Sequence, residues 1–192
     1  MRAALLLPLL LAGCYRYTRL ENQVLSLENA RLSAELEEIR QVGVPPDYVR
    51  ELDAAQLQVW LRDAGLTDIE QREPGVFLVP MQGEHVRFQL MVQLFENEKV
   101  LYLAATNYFR LEQATSPDST VLLLTQISAM NYDLLLGKFQ LNPRTGDISL
   151  SVELNLDDGI GFRTFNVTLH HLLRTADERY PDLLRAAGGE GL

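Results

Sequence analysis

Between residues 148 and 156 an apolar side chain stands at every second position: Ile148, Leu150, Val152, Leu154 and Leu156. Ser149, Ser151, Glu153 and Asn155 fill the gaps. A strand turns successive side chains to opposite faces, so this period fits a half-buried strand and excludes an amphipathic helix. One strand can neither satisfy its own outward N–H and C=O groups nor cover its apolar face, so the chain must supply neighbouring strands and a layer above them. Val86, Phe88, Leu90, Val92 and Leu94 repeat the pattern, and Val76 to Val79 is a compact apolar run. The turn Glu96-Asn97-Glu98-Lys99 leads into Val100 to Ala105. That run is apolar on both faces, which predicts a central strand. Phe139 and Leu141 alternate with Lys138 and Gln140, and Pro143-Arg144-Thr145-Gly146 turns the chain into the run from 148.

Three helices provide the covering layer. Asp53 stands as an N-cap before Leu57, Trp60, Leu61 and Ala64, and Gly65 supplies the stop. Ser116-Pro117 opens a second helix predicted to run to about Leu136 before Gly137. Its apolar residues, Val121 to Leu124, Ile127, Met130 and Leu134 to Leu136, cover most of the circumference, so burial on more than one side is expected, in the core or at a subunit interface. A third carries Phe162, Phe165, Leu169, Leu172, Leu173, Ala176 and Tyr180, and Pro181 is expected to break it. The order α-βββ-α-ββ-α gives an α+β domain over residues 45–187, an antiparallel sheet with helices on one face, followed by a disordered tail at 188–192.

The first 44 residues have another organisation. Arg2 and the nine apolar residues Ala3 to Leu11 read as a secretory signal, too short to span a bilayer. The stretch Leu11-Ala12-Gly13-Cys14 resembles the bacterial lipobox. The resemblance implies removal of residues 1–13 and acylation of Cys14, and several acyl chains hold a protein durably at a bilayer. In such lipoproteins Asp after the cysteine commonly marks inner-membrane retention; Tyr15 stands here, which favours the periplasmic face of the outer membrane.

From Tyr17 to Val42 there is no Gly or Pro, and Leu25, Leu32 and Ile39 recur at a seven-residue interval. As heptad d positions they place Asn22, Asn29 and Leu36 at a, and asparagine at a selects a parallel two-stranded coil. Residues 14–44 are therefore expected to form a coiled-coil stalk and linker, a homodimer. Leu20, Val24 and Leu27 form a second stripe outside that seam, and a helix packed on the chain's own head is the competing reading. Gly43-Val44-Pro45-Pro46 ends the segment.

Within the head, Met130-Asn131-Tyr132, Leu136-Gly137-Lys138-Phe139, the Asp147-Ile148-Ser149-Leu150 strand and Tyr180-Pro181 resemble the bacterial YbjN family. The resemblance implies the fold of type III secretion chaperones, a commonly dimeric state and no established enzymatic activity. Those motifs are structural, so they speak for fold more than for function.

Charge and composition narrow the chemistry. Of 192 residues 26 are acidic and 17 basic, a net charge of -9, and no basic cluster breaks the excess, so a nucleic-acid partner is not expected. A single cysteine excludes a disulfide framework and multi-cysteine metal sites. His170 and His171 are consecutive in a helix and point about 100° apart, which suits no shared metal. Asp157-Asp158-Gly159-Ile160-Gly161 lacks the ligand spacing of a calcium loop and the third glycine of a dinucleotide site. Ser128, Ser149 and Ser151 lack a nucleophile elbow. Asn131 is expected to satisfy nearby backbone groups, and Asp133 to be solvated. No metal, cofactor or catalytic residue is assigned.

The reading is thus a lipid-anchored, dimeric envelope module whose head engages a protein or peptide, by strand addition or by a helix in a groove. The alternatives are an enzyme built around Asp157, Asp158 and His170, and a purely structural tether. The anchor is directly testable: Cys14→Ser should abolish acylation and move the protein out of the detergent-rich phase in Triton X-114 partitioning. Equal partitioning of variant and wild type would remove the lipoprotein reading.

Overall fold

The computed structural model describes residues 47–188. Cys14 and the stalk positions Asn22, Leu25, Asn29, Leu32, Leu36 and Ile39 lie outside the described residues, as do residues 189–192. Six antiparallel strands form the main sheet: β2 (Glu70–Glu73), β3 (Val76–Gln82), β4 (Arg87–Phe95), β5 (Val100–Arg110), β6 (Lys138–Leu141) and β7 (Asp147–Asn155), in the order β2-β3-β4-β5-β7-β6. A two-residue strand β1 (Tyr48–Val49) pairs separately with β8 (Ile160–Gly161). The helices are α1 (Ala54–Asp63), α2 (Pro117–Asp133) and α3 (Phe162–Ala186).

Register turns the alternation into a core. Val79, Leu90, Ala105, Leu150 and Phe139 lie side by side across five strands, and Phe77, Val92, Leu103 and Val152 form the adjoining row. All nine are buried. Each large apolar side chain removed from water contributes about 1.5 to 3 kcal/mol. On the other face Leu78, Met91 and Tyr102 are half-buried and Glu153 is exposed.

The helices close over the first face. In α1 the Asp53 carboxylate accepts from the Gln56 N–H at 2.7 Å, and Gly65, at φ +85°, lets the chain turn away. Trp60 of α1 packs on the rings of Phe162 and Phe165 of α3. Helix α3 lies over β5 and β7 with Phe165, Leu169, Leu172, Ala176 and Leu183 buried, and α2 lies against β6.

The start of α3 is capped from far along the chain. Gly161, its N-cap, offers no side chain; the Asp47 backbone carbonyl accepts from Phe162 N–H and its carboxylate from Arg163 N–H, both at 3.0 Å. A carboxylate there also complements the positive end of the helix dipole.

Three expectations are corrected. Pro181 does not break α3, which continues to Ala186. The proline costs one helical N–H donor, but that turn is pinned from outside: the Tyr108 hydroxyl donates to the Ala176 carbonyl at 2.6 Å, and Tyr180 packs edge-on against Tyr108 and Phe109. Burial, with Tyr180, Asp177 and Asp182 beside it, pushes the Tyr108 hydroxyl far above its ordinary pKa, so it stays a donor. Strand β5 does not end at Ala105; a bulge with Asn107 at φ +50° carries it to Arg110 and buries both Tyr108 and Phe109. The main sheet has a fourth strand before α2, β2, exposed at all four residues and without an apolar one to betray it, and the short β1–β8 pair was likewise not expected.

The β3–β4 hairpin is latched to α3. The Asp177 carboxylate accepts from the N–H groups of Glu84 (3.0 Å), His85 (2.8 Å) and Val86 (3.2 Å). Gly83 is required beside it, since a Cβ there would collide with that carboxylate. Burial works against ionisation, but the three amides outweigh it and hold the carboxyl below its ordinary pKa. Asp177→Ala should lower stability in urea by about 1 kcal/mol at pH 7, water replacing part of what the exposed turn loses. With a depressed folded pKa, the stabilisation is complete above about pH 4 and disappears as pH falls through the folded value. The gap between wild type and variant should therefore close in acid; a gap unchanged down to pH 2 would refute the latch.

Candidate protein-docking surface

Helix α2 starts as its sequence dictates: the Ser116 hydroxyl accepts from the Ser119 N–H at 3.1 Å, and Pro117 takes the first helical position. Leu123, Ile127 and Met130 face the core. The apolar residues around the rest of the circumference are uncovered, contrary to the expectation of burial on more than one side: Val121 is 63% exposed, Leu122 60% and Tyr132 91%. A helix at the margin of the layer meets the sheet on one side only. From Ser119 to Tyr132 it carries no charged residue. Asp133 is exposed, as expected.

The helix ends at Asp133 and not at Leu136, because Leu134 adopts an extended conformation (ψ 119°). The following linker projects Leu135 entirely into solvent, at 104% exposure. Behind it lies an open hollow of about 690 Å³, lined by Leu135, Leu136, Asn166, Val167, His170, His171 and Arg174. Val167 is 61% exposed, and the Asn166 Oδ1 is buried without a hydrogen-bond partner. Leu135 and this hollow were not foreseen from sequence, because a projecting leucine in a linker has no periodic signature.

The edges of the sheet decide between the two docking modes. At β6 the Asn131 side chain takes the place of a further strand: its Oδ1 accepts from the Phe139 N–H at 2.7 Å and its Nδ2 donates to the Phe139 carbonyl at 3.0 Å. Asn131 thus satisfies backbone groups, as expected. At the opposite edge β2 presents Glu70, Gln71, Arg72 and Glu73, with a register shift between Gln71 and Glu73. A short, charged, bulged edge resists strand addition. The cap on Phe139 at one edge and the short, charged β2 at the other both disfavour an added strand.

The other candidate residues are not assembled into a site. His85 sits in the latched hairpin turn, and His170, exposed beside the half-buried His171, borders a hollow to which neither Asp157 nor Asp158 contributes. Asp157 and Asp158 form the turn before β8, where the Asn155 side chain accepts from the Asp157 N–H at 2.7 Å. Among the described residues no three His, Cys, Asp or Glu side chains come together to hold a metal ion, and no helix is long and apolar enough to cross a membrane.

The edge cap can be tested by itself. Asn131→Leu should cost about 2 kcal/mol in urea, since it strips both partly buried groups of Phe139 of their partner. It should also raise concentration-dependent association through the opened edge. A variant as stable and as soluble as wild type would mean that the amide closes nothing.

Residues 53–185 match the YbjN family, described as "Putative bacterial sensory transduction regulator". The chain is similar in fold to the crystal structure of YbjN, a "putative transcription regulator from E. coli", at 19% identity and a TM-score of 0.52, covering 73% of this chain and 95% of that one. It also matches a structure of the ExsC-ExsE complex, at 16% identity and a TM-score of 0.48, with 67% and 95% covered. No curated relative matches it. The element order, the six-stranded antiparallel sheet and the family match over residues 53–185 agree: the chain belongs to the YbjN family.

Proposed function

We propose that this protein is a lipid-anchored binding and assembly module of the bacterial cell envelope, dimeric, whose α+β head engages a protein surface by packing of α2. The observation that carries the reading is the outer face of α2: uncharged over fourteen residues, apolar at Val121 and Leu122, aromatic at Tyr132, continued by Leu135, and exposed throughout. Apolar area of this kind is covered in a working assembly, and aromatic anchors dominate the energetics of such contacts. The capped and charged sheet edges support helix packing over strand addition. Cys14 supplies the anchor, the periplasmic face of the outer membrane is the favoured site, and the heptad segment with Asn22 and Asn29 at a positions supports a parallel dimeric stalk. Family membership supports a role exerted through contact with other proteins, since the family is described in terms of regulation.

The reading predicts that Leu122→Glu or Tyr132→Glu, made in the intact lipoprotein, keeps the fold and lowers chemical cross-linking to any protein in its own membranes by ~10-fold. That corresponds to about 1.4 kcal/mol of lost association. Val59→Glu, a charge at a 45% exposed site on α1, serves as the matched control and should change nothing. If all three variants cross-link like wild type, the α2 face is not the docking surface.

A further inference from the structure

The open hollow behind Leu135 gathers three kinds of group. Leu135 and Leu136 form an apolar wall, to which Val167 adds from α3. Gly137, at φ +88°, makes the turn that carries the chain from this wall into β6; a Cβ there would come within 3.1 Å of the Ser151 carbonyl oxygen. Arg174 brings a positive charge to the hollow and His170 an N–H donor. No acidic residue lines it, and from Phe162 to Ala176 helix α3 carries Arg163, His170, His171 and Arg174 without one Asp or Glu, in a chain with 26 acidic residues against 17 basic. Among the described residues Arg174 forms no ion pair. The third group is an acceptor: half-buried Asn166 lines the same hollow, and its buried Oδ1 has no donor. Folded proteins rarely leave such an atom unmatched.

We infer that this hollow captures the carboxyl-terminal residue of a partner protein. Its carboxylate accepts from Arg174 and His170, its backbone N–H donates to the Asn166 Oδ1, and its apolar side chain packs on Leu135, Leu136 and Val167. The inference rests on the reading of the head as a protein-binding module and names the chemistry of a partner beside the α2 face.

Spacing supports the assignment. Asn166, His170 and Arg174 follow at steps of four along α3, so acceptor and donors share one face on successive turns. Cβ atoms one turn apart are separated by about 6 Å. A terminal residue carries its amide nitrogen about 3 Å from its carboxylate oxygens. An acceptor and a donor one turn apart therefore hold both ends of that residue at once. The terminal torsion of asparagine is soft, so Oδ1 turns toward the hollow without moving the helix. The guanidinium fork matches a carboxylate with two parallel N–H···O bonds. A volume of about 690 Å³ falls within the range of about 300 to 1,000 Å³ usual for ligand clefts, and the open side admits a chain end from solvent. A fatty-acid carboxylate would use the same wall and the same donors but has no N–H for Asn166. An internal peptide segment has the N–H but no main-chain carboxylate beside it. Only a chain terminus matches all three groups.

Fluorescence polarisation tests this, with a fluorescein-labelled tetrapeptide ending in leucine titrated with the full-length protein in phospholipid nanodiscs. The free-acid peptide should bind saturably. Closing it as the C-terminal amide, or replacing exposed Arg174 by Gln, should each weaken binding about tenfold through loss of a charged hydrogen bond, with the thermal unfolding midpoint of Arg174→Gln unchanged. Methylating the nitrogen of the terminal residue should weaken binding to wild type about fivefold, the effect of one neutral hydrogen bond, and should cost Asn166→Ala nothing further. Absence of saturable binding, equal binding of acid and amide peptides, indifference to Arg174→Gln, or the same methylation penalty in wild type and Asn166→Ala would each overturn the inference. Dodecanoate that binds more tightly than the peptide, and equally to wild type and Asn166→Ala, would assign the hollow to an acyl chain and overturn it too. If no peptide binds while Leu122→Glu still lowers cross-linking, the α2 surface stands without this site. If the peptide binds while Leu122→Glu and Tyr132→Glu leave cross-linking unchanged, this site stands without the α2 surface.

Discussion

The contact between α3 and the centre of the sheet organises everything else in the head. A sheet with alternating strands exposes one continuous apolar face, and here a single helix of 25 residues crosses it over β5 and β7. Its buried residues, Phe165, Leu169, Leu172, Ala176 and Leu183, belong to the same core as Leu103, Leu150 and Val152. Helix α3 is tied to the rest of the chain at three points: Asp47 at the first turn, Asp177 against the β3–β4 hairpin, Tyr108 beside the turn that Pro181 weakens. Each clamp joins the helix to a different part of the chain. The sheet, its β3–β4 hairpin and the entering strand are thereby tied to one helix.

With α3 over the centre and α1 packed at its start, α2 is left at the margin beside β6. A helix there can bury only one stripe. Its remaining apolar side chains therefore face solvent, and this exposure is a consequence of layer geometry as much as of composition. The same marginal position lets Asn131 reach the backbone of β6 and close the edge that would otherwise recruit a strand. One helix thus closes one kind of contact and offers another. The balance depends on where α2 sits and not on any single residue.

Strongly periodic segments were legible from residues alone. The runs at 86–94 and 148–156, the Asp53 and Ser116 caps and the Gly65 stop all carry a local physical signal, and the structure reproduces each. The failures share a cause as well. Pro181 has a strong local preference against a helix interior, and only the long-range contacts of Tyr108 and Tyr180 overrule it. Strand β2 has no apolar face because it is an edge, and the bulge at Asn107 reassigns two aromatic residues that simple alternation would place on opposite faces. On the outer face of α2 the apolar content was plain, but whether it lay buried or bare depended on its neighbours. The Asp47 cap of α3 joins residues 116 apart in sequence, beyond the reach of any local rule.

The grip of Asp47 also bears on mechanics. The chain enters the described head at this residue, and only two rungs, Tyr48 with Gly161 and Val49 with Ile160, follow before the strand ends. Load applied through residue 46 falls first on the Asp47 bonds to Phe162 and Arg163 and on those rungs, well before it reaches any row of the main sheet. A protein fixed at one end and pulled at the other would therefore yield first at a small, solvent-accessible and readily re-formed fastening, with its hydrophobic core spared.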